Sequence, residues 1–531
     1  MANTPWWRGA VVYQVYVRSF FDSDGDGHGD LPGLIGKLDY IKSLGVDAIW
    51  LSPIHPSPNR DWGYDVSDYE EVHPDYGTLA DFDALLEAAH GRGIKVLLDE
   101  VLAHTSDEHP WFQESLRSRD NPKSDWYVWA EPKADGTPPN NWLAAFGGAA
   151  WSYQPARRQH FHHRFLRQQP KLNWHNTDAR QAALDVLDFW LKRGADGFRL
   201  DTTNCYLHDP ELTDNPAEPA ESRTPWHWGH APNLQRHLHD SNRPDNITAM
   251  DAVRRTVERH PDRFVFGEFF EEAALSGGLA APDAGLHSGY SFPLLIASEL
   301  ERTFLTQHYQ LLSQHADHWP CVAFSNHDIL RTVTRFGGPD AGPELARLML
   351  ALLLSLRGTI LLYQGEELGL PEADLTRDQL RDPMGDLYYP VAKGRDGCRT
   401  PMPWTTEPHF GFTTGAPWLP AAKEHVGLTV AEQEGDEAST LNFARHLMKL
   451  RSASPALRLG TLSFIDAPAP ILAYERREDD ERIACVFNLG TEAIDWAADL
   501  SGEALATSGE VTTEAGSWRL GAYAAVILRL H

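Results

Sequence analysis

Along the chain, short runs of β-branched or aliphatic residues alternate with longer stretches whose apolar positions recur at helical spacing. That is the pattern of parallel strands joined by crossover helices. Eight strands are predicted: Val11 to Tyr16, Ala48 to Leu51, Val96 to Glu100, Gly197 to Asp201, Phe264 to Glu268, Gly289 to Phe292, Cys321 to Ser325 and Thr359 to Tyr363. Helical patterns such as Leu79 to His90 and Arg180 to Arg193 lie between them. Eight such units predict an α/β fold closed into a (β/α)₈ TIM barrel. The competing architecture, an open doubly wound sheet, usually carries a Gly-rich phosphate turn after an early strand, and no such turn occurs here.

Two connections are too long for plain barrel loops and are expected to be functional insertions. One, residues 105–172 after the third strand, is rich in Trp, Pro and Asn; the other, residues 206–246 after the fourth, is rich in His, Pro and Asp. Past residue 454 the helical pattern gives way to alternating segments, Ile471 to Arg476, Arg482 to Asn488 and Ala522 to Leu530, which predict a C-terminal antiparallel β-sandwich. The expected organisation is a barrel over 1–104 and 173–454, an inserted domain over 105–172 and a β domain over 455–531.

Composition narrows the function. With 531 residues, 42% hydrophobic and 23% charged, the chain has the balance of a soluble globular protein large enough for one main domain with appendages. A formal net charge of -28 repels polyanions, so nucleic acid and anionic membrane are poor partners and neutral ligands stay open. The 4 cysteines, Cys205, Cys321, Cys398 and Cys485, show no close pairing, which argues against a disulfide framework or a zinc site. Arg8 and Arg18 interrupt the N-terminal apolar residues, so no secretory signal is visible. The longest apolar run, Leu348 to Leu356, falls short of the ~20 residues needed to span a bilayer. A cytoplasmic protein is expected, monomer or homodimer.

In a barrel enzyme the chemistry sits at the C-terminal ends of the strands, and polar residues gather there. Asp99 and His104 follow the third strand, Arg199 and Asp201 end the fourth, Glu268 ends the fifth, and Asn326, His327 and Asp328 follow the seventh. Any one alone reads as a helix cap or a loop ion pair; their convergence on one rim does not. Acetal cleavage needs a nucleophile, a proton donor for the leaving oxygen, and negative charge near an oxocarbenium-like transition state. Asp201 is the expected nucleophile, held ionised by Arg199 two residues earlier. Glu268 closes an apolar strand, where burial favours the protonated form that a general acid requires. Asp328 is the third carboxylate, and His104 and His327 are donors to sugar hydroxyls.

Five segments now carry a family resemblance: DEVLAH ending at His104, QPKLN ending at Asn173, GFRLD ending at Asp201, FGE ending at Glu268 and FSNHD ending at Asp328. In this order they resemble the α-amylase superfamily of glycoside hydrolases (glycoside hydrolase family 13), in its bacterial α-glucosidase branch, over essentially the whole chain. The resemblance implies that Asp201 is the nucleophile, Glu268 the acid/base and Asp328 the transition-state stabiliser, in agreement with the reading from the residues. It makes the insertion after the third strand similar to the family's small domain B. Asp61 and Tyr64, in DWGYDVSDY, match the pair that binds the non-reducing glucose, with Phe146 and Phe165 as apolar walls. Arg399, in GCRTPMPW, resembles the arginine that meets the same glucose, and a charged Asp61 and Arg399 then close a blind, exo-acting pocket. Thr202 resembles the residue of α-1,4-cleaving members, where Val goes with α-1,6 specificity. The chain departs from the family at Ala103, where Asn is common, and at Lys171, where the α-glucosidase branch more often has Asp.

The loop DSDGDGHGD, Asp22 to Asp30, begins like an EF-hand and then departs from it, since Gly33 stands where the bidentate Glu is needed. It resembles the structural metal loop of bacterial α-glucosidases. That likeness implies one Ca²⁺ or Mg²⁺ held by Asp22, Asp24, Asp26 and Asp30 with the backbone carbonyl of His28, and no organic cofactor. The expected function is retaining, exo-acting α-glucosidase action on short α-1,4-linked glucosides, such as maltose, with glucosyl transfer to sugar or alcohol acceptors. The long loop 206–246 is expected to overhang the acceptor side and limit substrate length. The alternatives are a glucosyltransferase or sugar isomerase of the same family, and a non-catalytic relative of the barrel. The last is disfavoured by three intact carboxylates.

Overall fold

A computed structural model describes residues 4–223, 234–269, 280–281, 284–313, 319–339, 341–514 and 516–531. Residues 224–233 of the insertion after the fourth strand lie outside the described residues.

The apolar runs form strands because each is buried on both faces, as a parallel sheet covered by helices requires. The barrel strands are, in chain order, Val11–Val15, Ala48–Leu51, Lys95–Glu100, Gly197–Leu200, Phe264–Phe269, Ser288–Ser291, Cys321–Val322 and Thr359–Tyr363. They make an 8-stranded parallel sheet in the order sixth, fifth, fourth, third, second, first, eighth, seventh. Ladders therefore join all neighbours except the sixth and seventh strands, where side chains bridge the seam. Ser288 Oγ donates to the Trp319 carbonyl at 2.6 Å, and Cys321 Sγ lies 3.2 Å from Ser288 Oγ. The seventh strand is shorter than its apolar run because it pairs on one side only, with the eighth.

Crossover helices include Leu79–Gly91, opened by a reciprocal Thr78 and Asp81 capping box. Another is Thr177–Arg193, whose Asn176 side chain accepts from the N–H groups of Asp178 and Ala179. That cap starts the helix three residues before its apolar periodicity becomes visible. Its Ala183, Leu187, Trp190 and Leu191 pack into the layer between helices and barrel. A separate cluster, with Trp50, Leu97, Phe266, Tyr290 and Leu361, fills the barrel interior. Gly197 has φ +148, and a Cβ there would lie 1.7 Å from the Phe264 carbonyl oxygen. Only glycine lets the fourth strand start so close to the fifth.

Within the first insertion, Trp129–Ala130, Gln159–His162 and Trp151–Gln154 form a small antiparallel sheet over Trp142, Trp151 and Val128. At the C-terminus a 5-stranded and a 3-stranded antiparallel sheet pack through Ile471, Val486, Trp496, Trp518 and Val526. The last strand, Ala525–Leu530, begins later than the alternation predicts. Tyr523 is left-handed at φ 51, which breaks the extended run.

Candidate active site

Register brings the polar strand ends together. Asp99 sits opposite Arg199 across the third and fourth strands, and Glu268 opposite Tyr290 across the fifth and sixth. Alternate residues of a strand share a face, so Arg199 and Asp201 project from the fourth strand and its end in the same direction. Gly267 keeps the approach to Glu268 open, since a Cβ there would press on the Thr203 side chain at 2.7 Å.

One guanidinium organises this rim. Arg199 Nη1 donates to Asp99 Oδ1 at 2.7 Å and to Asp201 Oδ1 at 2.9 Å, while Nη2 reaches Glu268 Oε2 at 2.8 Å. Tyr290 accepts from Arg199 and donates to Glu268 Oε1 at 3.1 Å. Arg199 is fully buried. Because it is shared among three carboxylates, it does not hold Asp201 fully ionised as the sequence leads one to expect. Burial, with Asp99 and Asp328 nearby, outweighs the guanidinium and pushes Asp201 up to about 7. Glu268 is pushed up to about 8 by burial and by the charges of Asp201 and Asp328, against Arg199. Asp99 rises to about 6, mainly through burial.

Asp328 behaves in the opposite way. Burial would raise it, but His327, Arg395 and Arg399 outweigh burial and hold it far below the usual carboxylate range. Arg399 Nη2 donates to Asp328 Oδ1 at 2.8 Å, and Arg395 Nη1 to the same oxygen at 3.2 Å.

These residues open into a cavity of 530 Å³, mouth included, lined by Asp201, Glu268 and Asp328 with Asp61, Tyr64, His104, Phe146, Phe165 and Thr202. Phe146 and Phe165 meet edge to face at 6.2 Å. The structure thus brings together nine of the expected site residues around one space. Three others, Arg199, His327 and Arg399, stand behind the lining. His327 accepts from Gln14 Nε2 on Nδ1 at 2.7 Å, so Nε2 carries its ring proton toward Tyr64 and Asp328. It steadies the wall of the cavity. His104 lines the cavity, but its Nε2–H donates to the Tyr64 carbonyl at 2.9 Å, and burial pushes its pKa down to about 4, so the ring is neutral.

Two polar lining residues escape the sequence reading. Arg395, not Arg399, is the charged partner of Asp61, with Nη2 donating to Asp61 Oδ1 at 2.6 Å and its guanidinium 5.3 Å from the Phe146 ring centre. Asp382 holds the same nitrogen at 2.9 Å. Arg399 is turned inward onto the His327 carbonyl at 2.7 Å. The two arginines stand four residues apart in GRDGCR, and sequence alone does not tell which one faces the cavity. Gln169, the first residue of QPKLN, donates to Asp61 Oδ2 at 2.9 Å and to the Tyr64 carbonyl at 3.2 Å. Its place in that motif is the signal that would have found it.

Thr202 lines the cavity in the left-handed region, φ 45 and ψ 48. Its N–H donates to Glu268 Oε2 at 3.3 Å, and its buried Oγ1 has no hydrogen-bond partner among the described residues. In the acidic loop, carboxylate oxygens of Asp22, Asp24 and Asp30 lie within 4.8 Å of one another, while Asp26 falls outside that trio. Asp26 Oδ1 instead accepts from the N–H of His28 at 2.7 Å. The His28 ring faces Arg18, whose Nη1 lies 2.7 Å from Nδ1.

A barrel rim that presents paired carboxylates in a pocket with apolar walls and converging polar groups is the working arrangement of glycoside hydrolases that cleave sugar acetals. The chain belongs to the α-amylase family: the profile described as alpha amylase, catalytic domain, matches residues 14–460. Among its relatives, the probable alpha-glucosidase of Rhizobium meliloti (strain 1021) is 47% identical over 498 residues, 92% of this chain and 90% of that protein. The oligo-1,6-glucosidase of Heyndrickxia coagulans is 36% identical over 92% of this chain and 93% of its own length. The crystal structure of the alpha-glucosyl transfer enzyme XgtA superposes with a TM-score of 0.96 at 47% identity, covering 100% of both chains. No helix among the described residues is long and apolar enough to cross a membrane.

Proposed function

We propose that this protein is a retaining, exo-acting α-glucosidase that releases glucose from the non-reducing end of short α-1,4-linked glucosides. The carrying observation is the pair Asp201 and Glu268 held on the two terminal nitrogens of one buried guanidinium, at the base of a cavity lined by Asp61 and Arg395. Asp201 attacks the anomeric carbon while protonated Glu268 gives its proton to the glycosidic oxygen, so the leaving sugar departs neutral and a glucosyl ester of Asp201 remains. Esterification removes the Asp201 charge, one of the causes that raise Glu268. Glu268 therefore becomes more acidic at the moment when it must act as a base. It takes a proton from water, the oxygen attacks the ester-bound carbon, and Asp201 is released with the α configuration restored. Asp328, held ionised by its two arginines, faces the developing positive charge.

Asp61, Arg395 and Gln169 would seat the terminal hydroxyls of the glucose, with Tyr64, Phe146 and Phe165 as its walls. The test is a chromogenic α-glucoside with Asp201→Asn as control. The variant is expected to lose activity by on the order of 10⁴-fold, and an unaffected variant would refute the nucleophile. Preference for maltose over isomaltose is the companion measurement of linkage.

A second reading, glucosyl transfer to a sugar or alcohol acceptor, draws support from the likeness to an alpha-glucosyl transfer enzyme. In it, an acceptor hydroxyl replaces water on the same intermediate. NMR of the products from maltose with and without acceptor reports anomeric outcome and transfer together.

The convergence of Asp22, Asp24 and Asp30 fits a hard divalent cation, Ca²⁺ or Mg²⁺. When bound, such an ion supplies structural cross-linking of the loop and no catalytic step. The reading takes the protein to be cytoplasmic, as a monomer or homodimer.

A further inference from the structure

Lys171 is buried in the segment that returns from the inserted domain to the barrel, its backbone bridged to His104. Its ammonium has no carboxylate within ion-pair distance among the described residues. It donates instead to two successive carbonyls, those of Cys205 and Tyr206, the second at 3.1 Å. These belong to the turn that follows Asp201. The two carbonyls before them are held from the far end of the second insertion. Asn246 Nδ2 donates to the Thr203 carbonyl, and the N–H of Asn242 to that of Asn204 at 2.9 Å. Four consecutive carbonyls, 203 to 206, are thus each tied to a donor outside the turn.

What this clamp holds is strained. Thr202 is β-branched and left-handed, a combination that is costly and persists only when its surroundings over-determine it. The result is that Thr202 faces the cavity beside Glu268, with its N–H on the Glu268 carboxylate and its buried hydroxyl without a hydrogen-bond partner among the described residues. Glu268 gives its proton to the departing oxygen, so a side chain beside it meets the leaving group. An acidic side chain at position 171 would repel the same carbonyls; a cation with several N–H donors matches them. Burial pushes the Lys171 ammonium down to about 8.

We infer that Lys171 is a positioning residue that fixes the Thr202 turn and thereby sets which leaving groups the enzyme accepts. The inference rests on the glucosidase reading above and goes beyond it by assigning a specificity role outside the cavity lining.

The test compares wild type with Lys171→Met, which keeps length and burial but removes every donor. For each, kcat/KM is measured on maltose, isomaltose and p-nitrophenyl α-glucoside, alongside thermal melting. The maltose to isomaltose ratio is expected to shift by about tenfold, the scale of discrimination a small pocket change carries. Lys171→Gln, with two N–H donors, restores part of the wild-type ratio. A purely structural lysine would lower all three substrates together and leave the ratio where it was; that result in a folded Lys171→Met overturns the inference. If Lys171→Met does not fold, Asn246→Ala, which frees the Thr203 carbonyl, is judged by the same ratio. Wild type inactive on every α-glucoside would instead defeat the glucosidase reading, so the two failures are distinct.

Discussion

At the scale of single residues, the site is a contest between burial and one shared positive charge. Asp201 at about 7 and Glu268 at about 8 place the two groups close together, and they titrate as a pair. Below the lower value the nucleophile gains a proton and activity falls; above the upper value the acid loses its proton and activity falls. The expected kcat/KM profile is a narrow bell centred between pH 7 and 8. Asp99 is one of the charges raising Asp201, so Asp99→Asn moves the acidic limb to lower pH. An acidic limb that stays put in that variant would show that the Asp99 charge does not govern the nucleophile. The acidic residues were legible because each ends an apolar run. Arg395 and Gln169 were not: both lie on loops, where no periodicity says which way a side chain points, and each is recruited by the same Asp61 from far along the chain.

At the scale of elements, the strands were legible because two-sided burial writes itself as continuous apolar sequence. Their ends were less so, since pairing rather than hydropathy stops them. The seventh strand is cut short by the seam, and the last strand of the β domain by left-handed Tyr523. Gly197 offers a direct check on how the fourth and fifth strands fit. Gly197→Ala drives a methyl into the Phe264 carbonyl and is expected to destabilise by about 2–3 kcal/mol, read from the midpoint of denaturant unfolding. An unchanged midpoint would mean that the two strands can move apart freely. The acidic loop makes its own prediction. Chelation should lower Tm and added Ca²⁺ or Mg²⁺ restore it, through a stabilisation of about 3 kcal/mol at roughly a hundredfold excess over Kd. Indifference of Tm to both treatments would remove the ion from Asp22, Asp24 and Asp30.

At the scale of the whole molecule, the two insertions are stitched to each other as well as to the barrel. Asn141 Nδ2 donates to the Asn215 carbonyl at 2.9 Å and its Oδ1 accepts from the Asn215 N–H at 2.9 Å. Trp142 Nε1 donates to the Thr213 carbonyl at 2.8 Å, and Gln235 Nε2 to the Asn141 carbonyl at 2.8 Å. That stitching could not be foreseen from composition, because it joins two segments that each look like independent loops. A wall fixed in this way should favour short substrates, so kcat/KM is expected to fall from maltose to maltotetraose by about tenfold. Equal or rising efficiency with chain length would count against it. The Asp61 and Arg395 pair spans 334 positions of sequence. During translation the nucleophile and the proton donor therefore leave the ribosome well before the seat for the sugar is finished, and a nascent chain halted between them and Arg395 carries its acids but has nothing yet to hold a substrate against them.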